Sequence, residues 1–341
     1  VRLFARVKRV FSVEFPISVL FEASTIEACA QLISAAMPAS DESGARSRIV
    51  TPMPRYRHLV PMHPGEGGPR APFFLVAGMF GNVLNLRHLA HQIGTDRPFY
   101  GLQARGLYGD EAPHEDFLEM AAAYVDEVRL VQPHGPYSLG GFSGGGIVAL
   151  EMARLLQSEG EEVALLVMLD TPIPINAELT SVEKVRMHLQ RLRSDGIGYV
   201  KTWLVQRVAW QRQLRHRRRH GVVAPTDEGA LHSSVIEAAF NRALERYEMR
   251  YYDGTITLYR PRLTALHVLG SDRQIDPYRR FVYHDNGWGP YCDDVLVTEV
   301  PGDHDGMVLE PSVRVLASHI RSAIVSTDEA YELSWTNRGE Q

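Results

Sequence analysis

The stretch 136–156, PYSLGGFSGGGIVALEMARLL, reads as a short apolar strand, a glycine-dense turn and an amphipathic helix. At the turn, GFSGG (141–145) has the G-x-S-x-G spacing of a nucleophile elbow. The residues around the serine must lack Cβ atoms because strand and helix pass close on either side of it. The helix behind the turn would place its positive dipole end and free N–H groups near any developing negative charge. The pattern therefore predicts Ser143 as a nucleophile.

Composition excludes several classes of protein. The 341 residues are 45% hydrophobic and 23% charged, as in an ordinary globular protein. The net charge of −5 gives no reason to expect nucleic acid as a partner. No apolar run reaches the roughly 18 residues of a membrane span, so we expect no membrane partner. Cys29 and Cys292 are far apart in the chain and indicate neither a disulfide framework nor a zinc site, which favours a cytoplasmic protein.

Residues 1–37 have the pattern of a small helical unit. An apolar stripe at helical spacing is formed by Leu3, Val7, Val10 and Phe11. Thr25 is predicted as the N-cap of a second helix. Two or three short helices cannot bury a useful core alone. Because the first residue is valine and no cleavage-like site follows, we expect the chain to be a piece of a longer polypeptide. Residues 38–56 have the composition of a linker.

From residue 57 to 325, apolar strands alternate with helices, which predicts an α/β fold with a mostly parallel sheet and helices on both faces. The expected strands are HLVPMHPG at one edge, then PFFLVAG, RPFYGLQ, PYSLGGF, VALLVMLD, TITLYR, TALHVLG and DVLVTEV. Across residues 172–250 the strands stop and the pattern is helical, which indicates an inserted lid. A last helix is expected near 313–325, followed by a tail at 326–341.

A serine hydroxyl needs a histidine to take its proton and an acid to orient that histidine. In enzymes with this elbow, the chain order is serine, acid, histidine. His304, in PGDHDGMVLEP, follows the last strand and is the favoured base, with His284 as the second choice. Asp170 and Asp272 each end a buried strand, where a carboxylate would point to the catalytic edge of the sheet. The residue pattern alone does not choose between these two acids.

The motifs GGFSGGGIVALEMARLL, VALLVMLDTP and GDHDGMV resemble the thioesterase domains that terminate nonribosomal peptide and polyketide synthases. The resemblance implies an α/β-hydrolase fold, and it places the acid at Asp170 because that family carries its acid after the strand that follows the elbow helix. It also implies release of an acyl or peptidyl chain from a carrier-bound phosphopantetheine thioester. VEFPISVLFEASTIEACAQLI resembles the last two helices of an acyl or peptidyl carrier domain, without the serine that carries phosphopantetheine.

The oxyanion of such a reaction needs two N–H groups aimed at one point. We expect them from Gly144 and from Met79, in the loop VAGMFGNV. Thioesterases commonly have His-Gly in this loop, whereas this chain has Ala77-Gly78. The family resemblance implies no cofactor bound by the chain itself, because the substrate arrives on the 4'-phosphopantetheine of a carrier. The expected partners are the upstream carrier and synthase modules.

Two features of the expected lid stay open. Tyr199, Trp203, Leu204 and Trp210 recur near helical spacing, which is typical of core packing or of a wall for an acyl chain. The basic run Arg212–Arg219 is either a solvated helix face or a docking site for an acidic carrier or its phosphate. Two other functions compete with the thioesterase: an esterase or lipase acting on small esters, and a non-catalytic acyl-binding module.

Overall fold

The centre of the protein is a seven-stranded sheet in the order β1-β3-β2-β4-β5-β6-β10. In the computed structural model, the described residues are 2–37 (without 12, 14–18, 20–22 and 24), 56–66, 70–107, 111–174, 182, 185, 189, 233–263, 267–268, 274–275 and 281–338. The strands of the sheet are β1 (Leu59–His63), β2 (Phe73–Val76), β3 (Phe99–Leu102), β4 (Tyr137–Phe142), β5 (Val163–Leu169), β6 (Tyr252–Pro261) and β10 (Cys292–Val300).

The sheet is mostly parallel, and its central strands are buried on both faces. All neighbouring strands are parallel except β1, which pairs antiparallel with β3 at one edge. The side chains of β2 and β4 are buried throughout, and β5 is buried over its last five residues. Parallel strands covered on both faces need such continuous apolar runs, because neither face meets water. The sheet therefore presents the carboxyl ends of its parallel strands at one common edge.

Helices cover both faces of this sheet. The helices are α1 (Arg2–Phe11), α2 (Ile26–Ala36), α3 (Arg87–Ile93), α4 (Phe117–Val131), α5 (Gly145–Ser158), α6 (Ser233–Arg246) and α7 (Val313–Arg338). One apolar cluster packs α4, α5 and α6 against the sheet, and a second cluster packs α3 and α7 against the opposite face. The predicted fold class, an α/β fold with a mostly parallel sheet and helices on both faces, is confirmed.

Two expectations about the elements differ from the structure. TALHVLG was expected in the main sheet, but its described part, β7 (His267–Val268), pairs with β8 (Gln274–Ile275) in a separate sheet completed by β9 (Phe281–Val282). The edge of β6 is already taken by β10, which pairs with it from Cys292 to Val300. The last helix also continues to Arg338 through residues expected as a tail.

The chain divides into two units. The first comprises Val1–Pro172, Gly229–Arg262 and Trp288–Gln341. The second comprises Ile173–Glu228 and Leu263–Gly287 and contains the small sheet β7-β8-β9. Most of the expected lid, including the stripe from Tyr199 to Trp210 and the basic run Arg212–Arg219, lies outside the described residues, while its last helix, α6, belongs to the first unit.

The N-terminal helices have a small apolar cluster of their own. Its buried members are Val7, Val13, Val19, Ala23 and Cys29. Leu84, from the loop after β2, packs against this cluster. The predicted cap is confirmed: the Thr25 side chain accepts a hydrogen bond from the N–H of Ala28 at 3.1 Å. Cys29 and Cys292 are both buried, and neither is in a disulfide. No helix in the described part of the chain is long and apolar enough to cross a membrane.

Candidate active site

Ser143 lies on the turn between β4 and α5 in a strained conformation, with φ of 53°. Left-handed backbone at a non-glycine residue costs on the order of 1–3 kcal/mol and persists only where the surroundings enforce it. The surroundings here are glycines, because a Cβ on Gly141 would overlap the backbone of Gly145 and one on Gly145 would overlap Ala77 O. The Ser143 N–H also donates to Leu169 O at 2.8 Å, which ties the turn to β5.

Asp170, directly after β5, has the same unusual backbone, with φ of 46°. Its N–H donates to Tyr259 O on β6 at 2.7 Å. In the described residues, positive φ at a non-glycine position occurs at Ser143, Asp170 and Asn286. Two of these three are candidates from the sequence, and strain of this kind concentrates at functional sites.

His304 lies on the loop after β10, before a short 3-10 helix at Gly306–Val308. The loop is shaped by Gly302, with φ of 99°, and by Asp303, whose Oδ1 accepts the N–H of Gly306 at 2.7 Å. The imidazole stacks on the ring of Phe142, with 5.2 Å between ring centroids. Phe142 precedes the nucleophile in β4, so the strand that carries the serine also supports the histidine.

The three side chains meet in one hydrogen-bonded chain. His304 Nε2 lies 2.9 Å from Ser143 Oγ, and His304 Nδ1 lies 2.7 Å from Asp170 Oδ2. A carboxylate only accepts hydrogen bonds, so Nδ1 carries the proton and Nε2 is left to accept the serine hydroxyl. The hydrogen bond to Asp170 raises the pKa of His304 above its usual value, against the opposing effect of burial. The arrangement can withdraw a proton from Ser143 and hold the resulting positive charge.

The sequence also offered Asp272 as the acid and His284 as the base. Asp272 is outside the described residues. His284 lies in a turn after β9, in the second unit. Both nitrogens of His304 are already engaged with Ser143 and Asp170, so the hydrogen-bonded chain is complete without His284.

The expected oxyanion donors lie on the two loops beside Ser143. Gly144 is the N-cap residue of α5. Met79 is in a tight turn in which the Gly81 N–H donates to Gly78 O at 2.8 Å, and Gly81 O accepts the Ala104 N–H at 2.8 Å. Behind this turn is a cavity of about 10 Å³, the space of roughly one water molecule.

Phe240 of α6 is a part of the site that sequence reasoning missed. Its ring lies so close to Gly144 that a Cβ on Gly144 would overlap it. With Met79 and Ile236, one turn earlier on the same helix face, Phe240 also lines the small cavity. The helix is held by Arg242, which pairs with Glu115 at 2.7 Å. No local pattern indicates this contact, because Phe240 reads as an ordinary apolar position of an amphipathic helix.

Among the described residues, no group of three or more histidine, cysteine, aspartate or glutamate side chains is placed to hold a metal ion. The hydrogen-bonded serine, histidine and carboxylate at the carboxyl edge of a parallel sheet define the chain as an α/β-hydrolase. The order of these residues in the chain, Ser143, Asp170, His304, is that of the class.

Comparisons with known proteins give the family within this class. A model of the thioesterase domain matches residues 71–195. Indigoidine synthase of Dickeya dadantii (strain 3937) is 37% identical over 200 residues, 59% of this chain and 12% of that protein. Chondramide synthase of Chondromyces crocatus is 28% identical over 339 residues, 91% of this chain and 8% of that protein. The chain contains a thioesterase domain homologous to those of nonribosomal peptide and polyketide synthases.

A solved structure is similar to this chain over most of its length. It is a covalent complex of the NocB thioesterase domain with a fluorophosphonate nocardicin G analogue, 26% identical, with a TM-score of 0.50. The similarity covers 75% of this chain and 95% of that one. The chain thus matches nearly all of that solved thioesterase domain, but spans 12% or less of the two synthases.

Proposed function

We propose that this chain releases an acyl or peptidyl group from the phosphopantetheine thioester of a carrier domain, through an acyl-enzyme on Ser143. The observation that carries the proposal is the chain of hydrogen bonds from Ser143 Oγ through His304 to Asp170. The family gives the thioester as the substrate class. The names of the homologues, which are synthases, support a role at the end of an assembly sequence.

The first half of the reaction uses His304 as a general base. Ser143 Oγ attacks the thioester carbonyl while Nε2 accepts its proton, and Asp170 stabilises the imidazolium that forms. The tetrahedral intermediate then collapses, the C–S bond breaks, and the proton on Nε2 passes to the thiolate that leaves. The product of this half is an ester between the acyl group and Ser143, with the carrier thiol released.

The second half removes the acyl group. Water, or a hydroxyl or amine within the acyl chain itself, loses a proton to His304 Nε2 as it attacks the ester carbonyl. Ser143 leaves with that proton, and the product is a free acid or a ring. Both halves pass through an oxyanion, which in this proposal is bound by the N–H groups of Met79 and Gly144. Gly144 is the N-cap residue of α5, so the positive end of the helix dipole adds to this stabilisation.

The domain organisation follows from the same proposal. Residues 1–37 would be the C-terminal part of a carrier domain, 38–56 a linker, and 57–325 the thioesterase domain with its lid at about 172–250. The apolar cluster of the N-terminal helices, closed by Leu84 of the following domain, supports a defined packing of this piece. The delivering carrier and the upstream modules are the proposed partners, and the chain itself would bind no cofactor.

The test offers the 341-residue chain a matched pair of substrates, an acyl N-acetylcysteamine thioester and the corresponding oxygen ester. The expected result is faster turnover of the thioester and loss of turnover in Ser143→Ala. Preferred turnover of the oxygen ester would support an esterase and contradict the proposal. Full activity of Ser143→Ala would also contradict it. The mass of the product from a loaded carrier then separates hydrolysis, which adds one water, from cyclisation.

A further inference from the structure

The loop that carries Asp170 needs an external support. Asp170 has a left-handed backbone without the glycine neighbours that make this conformation accessible at Ser143. The residues on either side are Leu169 and Thr171, and both have a Cβ. One hydrogen bond, from the Asp170 N–H to Tyr259 O, holds the residue from the β6 side. A second hydrogen-bonding group holds the turn from the other side, at the carbonyl of Thr171.

Trp288 supplies that group. Its indole Nε1–H donates to Thr171 O at 2.8 Å, across 117 positions of the chain. Trp288 is fully buried, with 0% of its surface exposed, in the apolar cluster between the sheet and α5. A buried indole N–H without an acceptor destabilises the fold. The ring of Trp288 is therefore held where its N–H reaches the Thr171 carbonyl.

Thr171 lies directly against the nucleophile helix. It is fully buried, and a Cβ on Gly146 would overlap the Thr171 side chain. Thr171 is therefore held between the first turn of α5 and the indole of Trp288. This carbonyl belongs to the peptide between Thr171 and Pro172. A displacement of the carbonyl would therefore rotate the backbone at Thr171, and through it the Asp170–Thr171 peptide that sets the direction of the carboxylate.

We propose that Trp288 is a positioning residue for the acid: its indole N–H fixes the Thr171 carbonyl and thereby aims the Asp170 carboxylate at His304 Nδ1. Trp288 acts through Asp170 and does not touch the substrate. The proposal rests on the function above, in which Asp170 stabilises the imidazolium form of His304. A role in core packing alone would require the ring of Trp288 but not its N–H.

The test replaces the N–H and keeps an aromatic ring. Trp288→Phe should lower kcat for an acyl thioester roughly tenfold, the effect of one lost hydrogen bond, with little change in KM. It should also move the acid limb of the pH–rate profile to lower pH, because a misdirected Asp170 raises the pKa of His304 less. Replacement of Trp288 by benzothienylalanine, which has sulfur in place of the N–H at nearly the same shape, should give the same two changes if Trp288→Phe does not fold.

A double-mutant cycle separates positioning from packing. In an Asp170→Asn background, Trp288→Phe should have almost no further effect on kcat, because there is no carboxylate left to aim. Ile256→Val, a small loss of volume in the same apolar cluster, is the control and should leave the acid limb in place. Additive effects of the two substitutions, or an unmoved acid limb in Trp288→Phe, would overturn the proposal. Failure of the proposed function would be seen separately, as activity that survives in Ser143→Ala.

Discussion

Two strained turns form the site, and they are stabilised in different ways. Near Ser143 the chain has glycines: Gly141 and Gly145 leave room where strand and helix pass each other. At Asp170 the neighbours keep their side chains, and the turn is held by hydrogen bonds from distant parts of the chain, at Tyr259 and Trp288. The first solution is visible in the local sequence because it requires glycine. The second leaves no local pattern, because its partners lie about 90 and 117 positions further along the chain.

The largest expected effect is at the second turn. Asp170→Asn keeps the size of the side chain but exchanges the acceptor for an amide that favours the wrong tautomer of His304. We expect kcat for an acyl thioester to fall by about 10⁴, as for the acid of a serine triad. Asp272→Asn is the matched control and should change kcat little. The opposite result, a large loss at Asp272 and a small one at Asp170, would move the acid to the later strand.

At the first turn, a single methyl group should be enough to disturb the site. In Gly144→Ala, the new Cβ would overlap the ring of Phe240, so the N–H of residue 144 should shift from its place beside Ser143. We expect kcat to fall about 10²-fold, the scale of a lost oxyanion donor. Gly160→Ala, beyond the end of α5 that is far from Ser143, serves as the control for kcat. A Cβ there meets nothing within 4 Å, and the strain from its φ of 83° should lower the stability of the protein without changing kcat.

The steric origin of this loss can be checked by a second substitution. Phe240→Ala in the Gly144→Ala background removes the overlapping ring and should restore part of the lost kcat. If the double variant is as slow as Gly144→Ala, overlap with Phe240 is not the cause of the lost kcat. The turn at Ser143 would then not depend on free space around its glycines in the way proposed.

The pH dependence of kcat/KM links the two turns, because Asp170 sets the pKa of the histidine that accepts the Ser143 proton. His304 must be neutral to accept the serine proton, so kcat/KM should fall as the pH drops through its pKa. Asp170 raises that pKa chiefly through its hydrogen bond, while burial lowers it. In Asp170→Asn this largest raising effect is lost, while the smaller raising effects of Asp305 and Asp303 and the lowering effect of burial remain, so the acid limb should move to lower pH. A pH–rate profile of the residual activity measures this, and a limb that stays in place or rises would contradict the coupling.

The smallest expected effect concerns stability. Glycine adopts a positive φ without the penalty of a Cβ. Ser143→Gly should therefore unfold with a free energy about 1 kcal/mol higher than Ser143→Ala, measured by urea denaturation. The pair Asp170→Gly and Asp170→Ala should differ in the same direction. Equal stabilities within a pair would mean that the turn is not strained at that residue.

The main sheet, its helices, Ser143 and His304 could be predicted from the sequence, because each depends on local pattern and chain order. Asp170 needed the family resemblance, because the sequence pattern predicts an aspartate at the end of a strand twice, at Asp170 and at Asp272. Phe240 and Trp288 were missed since each acts through a contact across most of the domain, and an apolar residue in a helix or a buried tryptophan has many other uses. The misplaced strand TALHVLG shows the same limit: an apolar run predicts a strand but not its partner.

The most direct test of the central claim is the mass of the protein during turnover. The chain is mixed with an acyl thioester, quenched in acid within the first turnovers and analysed intact, then digested to locate any modification. We predict a population heavier by one acyl group, with the group on Ser143 and none in Ser143→Ala. Turnover at the normal rate with no acyl group on the protein, or with the group on another residue, would contradict a serine acyl-enzyme at this site.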